Sequence, residues 1–192
     1  MFQIRIHGRG GQGVVTAAEL LSVAAFEEGS FAQAFPTFGS ERTGAPVVSY
    51  CRIDDRSIRV REPIVEPDGL IVQDPTLLHQ VDVFSGVAPG AYVLINTTGT
   101  VATLGISQYA ERFAEGHLLT VPATDLAREH LGRPLPNAAL LGGFAAQTGV
   151  VSLAGVAAAI RERFPAVIAE QNVSAAEAAH AFVEERMAAV NA

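Results

Sequence analysis

The feature that most constrains this chain is a glycine-rich turn between a strand pattern and a helix pattern. Phe2, Ile4 and Ile6 alternate with Gln3, Arg5 and His7, the two-residue period of a strand. Gly8-Arg9-Gly10-Gly11-Gln12-Gly13 follows, and Val14 to about Glu28 then reads as a helix ended by Gly29. Glycines at 8, 10 and 13 carry the G-x-G-x-x-G spacing in the strand-to-helix context that gives it physical meaning, and Gly11 adds a fourth. Such a turn allows close backbone approach and leaves amide N–H groups at a helix N-terminus to receive a phosphate oxygen. The same glycines also suit a helix that merely packs tightly on its strand. Arg9 and Gln12 would either approach a phosphate or face water.

Strand, turn and helix make half of a βαβ unit, and the chain continues the alternation. A short segment near Phe31 to Phe35 precedes a loop from Pro36 to Pro46, and Val47 to Ile53 reads as a strand. Asp54-Asp55 has the look of a hairpin turn into Ser57 to Val60. Gly69 to Val72, Tyr92 to Ile95 and Leu118 to Val121 are short apolar runs of the kind that fill buried parallel strands. Asp74-Pro75 and Ala123-Thr124-Asp125 sit where helices would start. From Asn137 the chain reads as helical, with Asn137 and Ser152 as caps and Ser174 with Glu177 as a capping box. Ala175, Ala179, Phe182, Val183, Met187 and Val190 then trace one helical face suited to core packing. The expected architecture is α/β: a Rossmann-like, mostly parallel sheet with helices on both faces, one β-hairpin insertion and a helical C-terminus, in a single domain over residues 1–192.

Composition narrows the function. Thirteen Lys and Arg against 20 Asp and Glu give a net charge of −7, with no broad attraction for a phosphate backbone, so nucleic acid is not an expected partner. Charged residues are only 17% of the chain, which leaves surface for a protein partner. Cys51 is the single cysteine; it cannot form an internal disulfide or hold an iron–sulfur cluster, and it fits a reducing cytoplasm. Placed in a strand, it reads as a buried inert thiol. The five histidines show no metal-ligand spacing, so none is assigned to metal. Ala138 to Ala146, the longest small-apolar stretch, falls well short of the roughly 20 residues that span a bilayer. The N-terminal alternation reads as a strand and not as a signal peptide.

A second segment, Pro36-Thr37-Phe38-Gly39-Ser40-Glu41-Arg42-Thr43-Gly44-Ala45-Pro46, gathers turn formers, an ion pair and an aromatic in one loop. Loops of that length tend to be functional, against the plainer reading of a solvated surface turn.

Gly8 to Gly13 as G-R-G-G-Q-G, Gly39 to Val47 as G-S-E-R-T-G-A-P-V and Asn137 to Leu153 as N-A-A-L-L-G-G-F-A-A-Q-T-G-V-V-S-L together resemble the gamma subunit of 2-oxoacid:acceptor oxidoreductases. The resemblance runs from the first strand through Pro122-Ala123-Thr124 to Glu170-Gln171-Asn172. It implies a complex that oxidatively decarboxylates a 2-oxoacid to an acyl-CoA. Thiamine diphosphate with magnesium would sit in alpha and beta subunits, 4Fe–4S clusters would belong to an iron–sulfur subunit, and ferredoxin or a nicotinamide-linked partner would take the electrons. The gamma-type chain would supply the coenzyme A side, with Gly8, Arg9, Gly10, Gly11, Gln12, Gly13, Val14 and Thr16 facing the coenzyme A diphosphate. Phe38, Glu41 and Arg42 would lie at the interface with the thiamine-bearing subunits, as positioning residues, and no residue is assigned as a catalytic acid or base. Two departures stand out: Ala18-Glu19 where fused-chain pyruvate enzymes place an Asn-Lys pair, and Thr43 where a basic residue is common.

Two other functions share the turn: a nicotinamide-dependent dehydrogenase domain and a non-catalytic nucleotide-sensing module. Against the first, the region from Ser30 to Phe38 holds no acidic residue to bind a ribose. The loop from Pro36 to Pro46 discriminates the second. The 2-oxoacid itself is not encoded in these motifs.

Overall fold

The computed structural model describes residues 1–37 and 43–190. Its centre is a six-stranded sheet in the order β2-β3-β1-β4-β5-β6, formed by β1 (Phe2–Arg9), β2 (Phe31–Pro36), β3 (Pro46–Asp54), β4 (Gly69–Val72), β5 (Tyr92–Asn96) and β6 (Leu118–Val121). β1, β4, β5 and β6 run parallel, in registers such as Ile6 with Ile71 and Ile71 with Leu94. β3 pairs antiparallel with both β1 and β2. β2 and β3 therefore form the hairpin insertion, at one edge of the parallel sheet.

That hairpin differs from the expected one, in which Asp54-Asp55 would turn into a strand at Ser57 to Val60; residues 57–60 are not a strand. The cause is tertiary. Arg5 on β1 and Arg52 on β3 lie under this face of the sheet, almost fully buried. Arg5 donates to the carbonyls of Val83 at 2.8 Å and Ser85 at 2.6 Å, and to Ile64 and Val65 at 3.5 and 3.3 Å. Arg52 donates to the carbonyl of Glu62 at 2.5 Å and lies over the Phe35 ring. Buried guanidinium groups need many acceptors, and here irregular backbone supplies them. Residues 60–65 serve as a strap across the sheet, with carbonyls spent on arginines.

The long helices pack on the opposite face: α1 (Val14–Glu27), α3 (Ala123–Leu131), α4 (Asn137–Thr148), α5 (Leu153–Arg163) and α6 (Ala166–Val190). Ile4, Ile6, Cys51, Ile71 and Leu94 point into this core. The strap face carries a 3₁₀ turn, Pro75–His79, and the short α2 (Ser107–Ala110), over a smaller core around Leu70, Val72, Val93 and Ile95. Helical segments thus cover both faces, unequally.

α4 is buried nearly all round, which accounts for its unbroken small-apolar sequence. A Cβ on Gly142 would run into the carbonyl of Ala176, so glycine lets α6 lie against α4. Ser152 caps α5 as expected, accepting from Gly155 N–H at 3.0 Å. Asn137 does not cap α4, because Pro136 takes that position. The Ser174/Glu177 box lies inside α6, which starts earlier: Ala169 N–H already bonds to Pro165 O at 2.8 Å. The predicted face of α6 does pack, with Ala175, Ala179 and Val183 fully buried.

Candidate functional site

β1 delivers the chain into the glycine turn at the carboxyl end of the parallel strands. Gly11 has φ +94° and Gly13 φ +73°, both in the left-handed region that only glycine adopts freely. Gly13 is the N-cap of α1, and no side chain caps that helix. The first-turn amides and the positive end of the helix dipole are thus presented at the surface. Gly8 is there for packing, since a Cβ at that position would stand 2.5 Å from Val14 Cγ2 and 3.3 Å from Gln73 Cβ. Gly10 is zipped to the far end of the second loop, donating to Ala45 O at 2.9 Å and accepting from Gly44 N–H at 3.0 Å. Two segments that are separate in sequence therefore form one structure.

Arg9 and Gln12 are committed inside the fold. Arg9 donates to Asp74 Oδ2 at 3.1 Å, the Gly44 carbonyl at 3.0 Å, Thr76 Oγ1 at 2.6 Å and Gln80 Oε1 at 2.8 Å. Gln12 accepts from Arg9 N–H and donates to Asp74 Oδ2, both at 2.8 Å. Partial burial of Asp74 opposes its ionisation, yet hydrogen bonds from Thr76 and Gln12 and the charge of Arg9 hold its carboxyl below the usual range. Asp74 clasps the turn to the end of β4. Beyond it, Gln73 donates to the Gln12 carbonyl, Asn96 Nδ2 donates to Gln73 O at 2.9 Å and Thr124 Oγ1 at 2.7 Å, and Asn96 Oδ1 accepts from Thr124 N–H at 3.0 Å. This network ties together the ends of β1, β4 and β5 and the start of α3.

Two clefts meet at Gly11 and Leu135. The first, about 450 Å³, is lined by Gly11, Gly13 and Thr16 together with Arg133, Asn137 and Arg163, and among the described residues no carboxylate lines it. The second, about 430 Å³, lies over the strand ends and includes Gln12, Gln73, Asn96 and Thr124, with Asp74 its one charged residue among those described. Gln73 is 1% exposed, and its Oε1 has no partner among the described residues. Ligands of open α/β sheets occupy such crevices, where connections leave to opposite faces. Here α1 follows β1 on one face and the 3₁₀ turn follows β4 on the other.

Of the residues expected to face a diphosphate, Gly11, Gly13 and Thr16 line the first cleft and Gly11 and Gln12 the second, while Gly8, Arg9 and Gly10 line neither. Val14 is buried with its side chain against the core, so only its amide could meet a ligand. Ala18 is buried and Glu19 lines a separate shallow depression, so neither faces the clefts. Phe38, Glu41 and Arg42, expected at a subunit interface, lie outside the described residues. Gln73 and Asn96 were missed as site residues, although polar residues ending apolar parallel strands are a usable signal. Arg133 and Arg163 were also missed; they come from helix ends, and no local pattern marks them.

The sequence matches the family described as pyruvate ferredoxin/flavodoxin oxidoreductase over residues 3–182. The chain belongs to that family. It is a gamma-type subunit of a multisubunit oxidoreductase complex, similar along nearly its whole length to curated relatives. It is 48% identical to the pyruvate/ketoisovalerate oxidoreductases common subunit gamma of Thermococcus kodakarensis over 93% of this chain and 95% of that one. It is 47% identical to pyruvate synthase subunit PorC of Methanothermobacter marburgensis over 94% and 96%. The crystal structure of pyruvate oxidoreductase subunit PORC from Thermotoga maritima superposes with a TM-score of 0.78 at 32% identity, covering 94% of this chain and 95% of that one.

Cys51 is fully buried, and burial pushes its thiol up to about 12, as suits an inert packed residue. The topology of this chain also differs from that of a nicotinamide site. β2 runs parallel to β1, but β3 stands between them. An acid at the end of β2 would lie one strand away from the position that grips a ribose.

Proposed function

We propose that this subunit carries the coenzyme A side of a complex that oxidatively decarboxylates a 2-oxoacid to its acyl-CoA, with the glycine turn receiving the diphosphate. The observation that carries this reading is the uncapped N-terminus of α1, opening between Gly11 and Thr16 on a cleft with two arginines and, among the described residues, no carboxylate. A diphosphate placed there gains oriented amides and the helix dipole. Arg9 holds the turn in shape through Asp74 and contributes little directly, because its donors are already engaged. The second cleft, lined mainly by amides and hydroxyls, suits the uncharged pantetheine arm, whose amide N–H could satisfy Gln73 Oε1. Thiamine diphosphate with magnesium in alpha and beta subunits supplies the decarboxylation in this reading, 4Fe–4S clusters in an iron–sulfur subunit carry electrons to ferredoxin or a nicotinamide-linked acceptor, and coenzyme A takes the acyl group. The names of the relatives favour pyruvate or a branched-chain 2-oxoacid as substrate. The reading places the complex in the cytoplasm and the chain in a single domain; among the described residues no helix is long and apolar enough to cross a membrane.

Gly11→Asn tests the site in the assembled complex. A Cβ at Gly11 would meet only Thr43 Cγ2, at 3.9 Å, so there is room for a side chain; φ +94° strains any residue but glycine, and asparagine, which bears a positive φ at less cost than most, keeps that strain to about 1 kcal/mol. The new side chain stands at the rim shared by both clefts. The coenzyme A KM should rise about tenfold, the loss of roughly one hydrogen bond to a charged group, with the 2-oxoacid KM unchanged and Tm lowered by only about 2–4 °C. An unchanged coenzyme A KM would remove the turn from the coenzyme site.

A further inference from the structure

The diphosphate reading uses Arg133 and Arg163 only for the charge of the cleft and assigns neither a contact of its own. Arg133 follows Gly132, the C-cap of α3, and Arg163 is the last residue of α5. Each placement suits the negative end of its own helix. Their convergence is another matter. Both arginines line one cleft with the N-terminus of α1, whose dipole is positive, and no carboxylate lies among the lining residues to offset the three. Among the described residues neither guanidinium forms an ion pair, whereas Arg9, Arg128 and Arg161 each do. Glu19 and Glu162 share a neighbouring depression with Arg163 but are not paired with it. Arg163 instead lies over the Phe164 ring, 5.6 Å from its centroid, held against the cleft wall. In a chain with 20 acidic residues against 13 basic ones, a cleft whose charged lining among the described residues is two arginines opposes the overall composition. Two cations on the wall of one cleft favour an anionic occupant.

We propose that Arg133 and Arg163 bind a phosphomonoester of the ligand whose diphosphate rests on α1: for coenzyme A, the 3′-phosphate of its adenosine moiety. The inference rests on the coenzyme A reading above. A phosphomonoester carries nearly two charges and three acceptor oxygens, which two forked guanidinium groups match. Leu131, Phe164 and Ile168 give the same cleft an apolar wall for the attached base. The arginines accordingly select coenzyme A over dephospho-coenzyme A, which lacks only that phosphate.

The test compares these two thiols as acyl acceptors for the assembled complex and for its Arg133→Gln, Arg163→Gln and double variants. The parent complex is expected to show a KM for dephospho-coenzyme A at least tenfold above that for coenzyme A. Each single variant raises the coenzyme A KM severalfold and leaves the dephospho-coenzyme A KM, kcat, the 2-oxoacid KM and Tm unchanged; in the double variant the ratio of the two KM values falls towards one. A parent that does not discriminate, or variants that weaken both thiols equally, overturn the proposal. Gly11→Asn separates the layers. If it raises both KM values while the arginine variants keep the parental ratio, the turn still binds the coenzyme and only the phosphomonoester assignment fails. If Gly11→Asn moves neither KM, the underlying reading fails.

Discussion

Asp74→Asn isolates the clasp that shapes the turn. The two carboxylate oxygens do separate work: Oδ1 accepts from Thr76 N–H at 3.0 Å and Thr76 Oγ1 at 2.6 Å, while Oδ2 accepts from Arg9 Nε at 3.1 Å and Gln12 Nε2 at 2.8 Å. Asparagine keeps an acceptor for Thr76, so the start of the 3₁₀ turn survives, and it replaces Oδ2 with an NH₂ group that faces two donors. Two hydrogen bonds to a charged acceptor are lost, each worth about 1.5–3 kcal/mol when well made. The side chains are 13% and 21% exposed, and Arg9 keeps three other acceptors, so a loss of about 2–4 kcal/mol is the reasonable range. At roughly 2–4 °C per kcal/mol for a chain of this size, Tm should fall by about 4–16 °C at pH 7.

Acid provides a second axis. The folded carboxyl titrates below its unfolded value, so its contribution to stability is present above the ordinary carboxylate range and disappears as pH falls through the lower folded value. The gap between parent and variant should therefore close on acidification. Thermal unfolding by circular dichroism from pH 7 to pH 3 measures both effects. A Tm within about a degree of the parent at pH 7 would refute the reasoning, because the Oδ2 bonds would then contribute nothing net.

Gly142→Ala sets helix propensity, which favours alanine by about 1 kcal/mol, against a collision with the Ala176 carbonyl. The collision should win, with a net loss of roughly 1–3 kcal/mol in urea unfolding, and a more stable variant would contradict the close packing of α4 on α6. His7 is 7% exposed, and burial first and then the charge of Arg5 lower its imidazole to about 4. The unfolded chain therefore binds a proton first, near pH 6.5, and native stability should decline between there and pH 4 by about 3 kcal/mol. His7→Gln should flatten that limb, and parallel pH–stability curves for parent and variant would show that His7 titrates normally.

Elements legible in the sequence were those whose signal is local and whose tertiary context agrees. β4 and β6 occupy the positions that their apolar runs mark, since strands buried on both faces leave no choice of register. The second hairpin failed because the Asp54-Asp55 pattern says nothing about arginines on β1 and β3 that claim the carbonyls of the following segment. The capping box in α6 failed for the opposite reason, a correct local motif inside a helix that Pro165 had already begun. Arg133 and Arg163 were out of reach, because their meeting depends on how α3 and α5 end in space.

The turn itself shows why one motif supported two readings. Tight packing and anion binding are divided among its glycines. Gly8 is required by packing, since a side chain there would strike Val14 and Gln73. Gly10 belongs to the backbone zipper with Gly44 and Ala45. Gly11 gives the turn its φ +94°, but a side chain there would meet almost nothing and the residue lines both clefts, so its missing side chain leaves room for a ligand and not for packing. Gly13 does both: it caps α1 with φ +73°, and a Cβ there would stand 2.8 Å from Asn137 Nδ2. A substitution at Gly13 would therefore lower stability and disturb the cleft together, and could not separate the two roles. At Gly11 they come apart, because its surroundings leave room for a side chain and asparagine bears a positive φ at less cost than most residues.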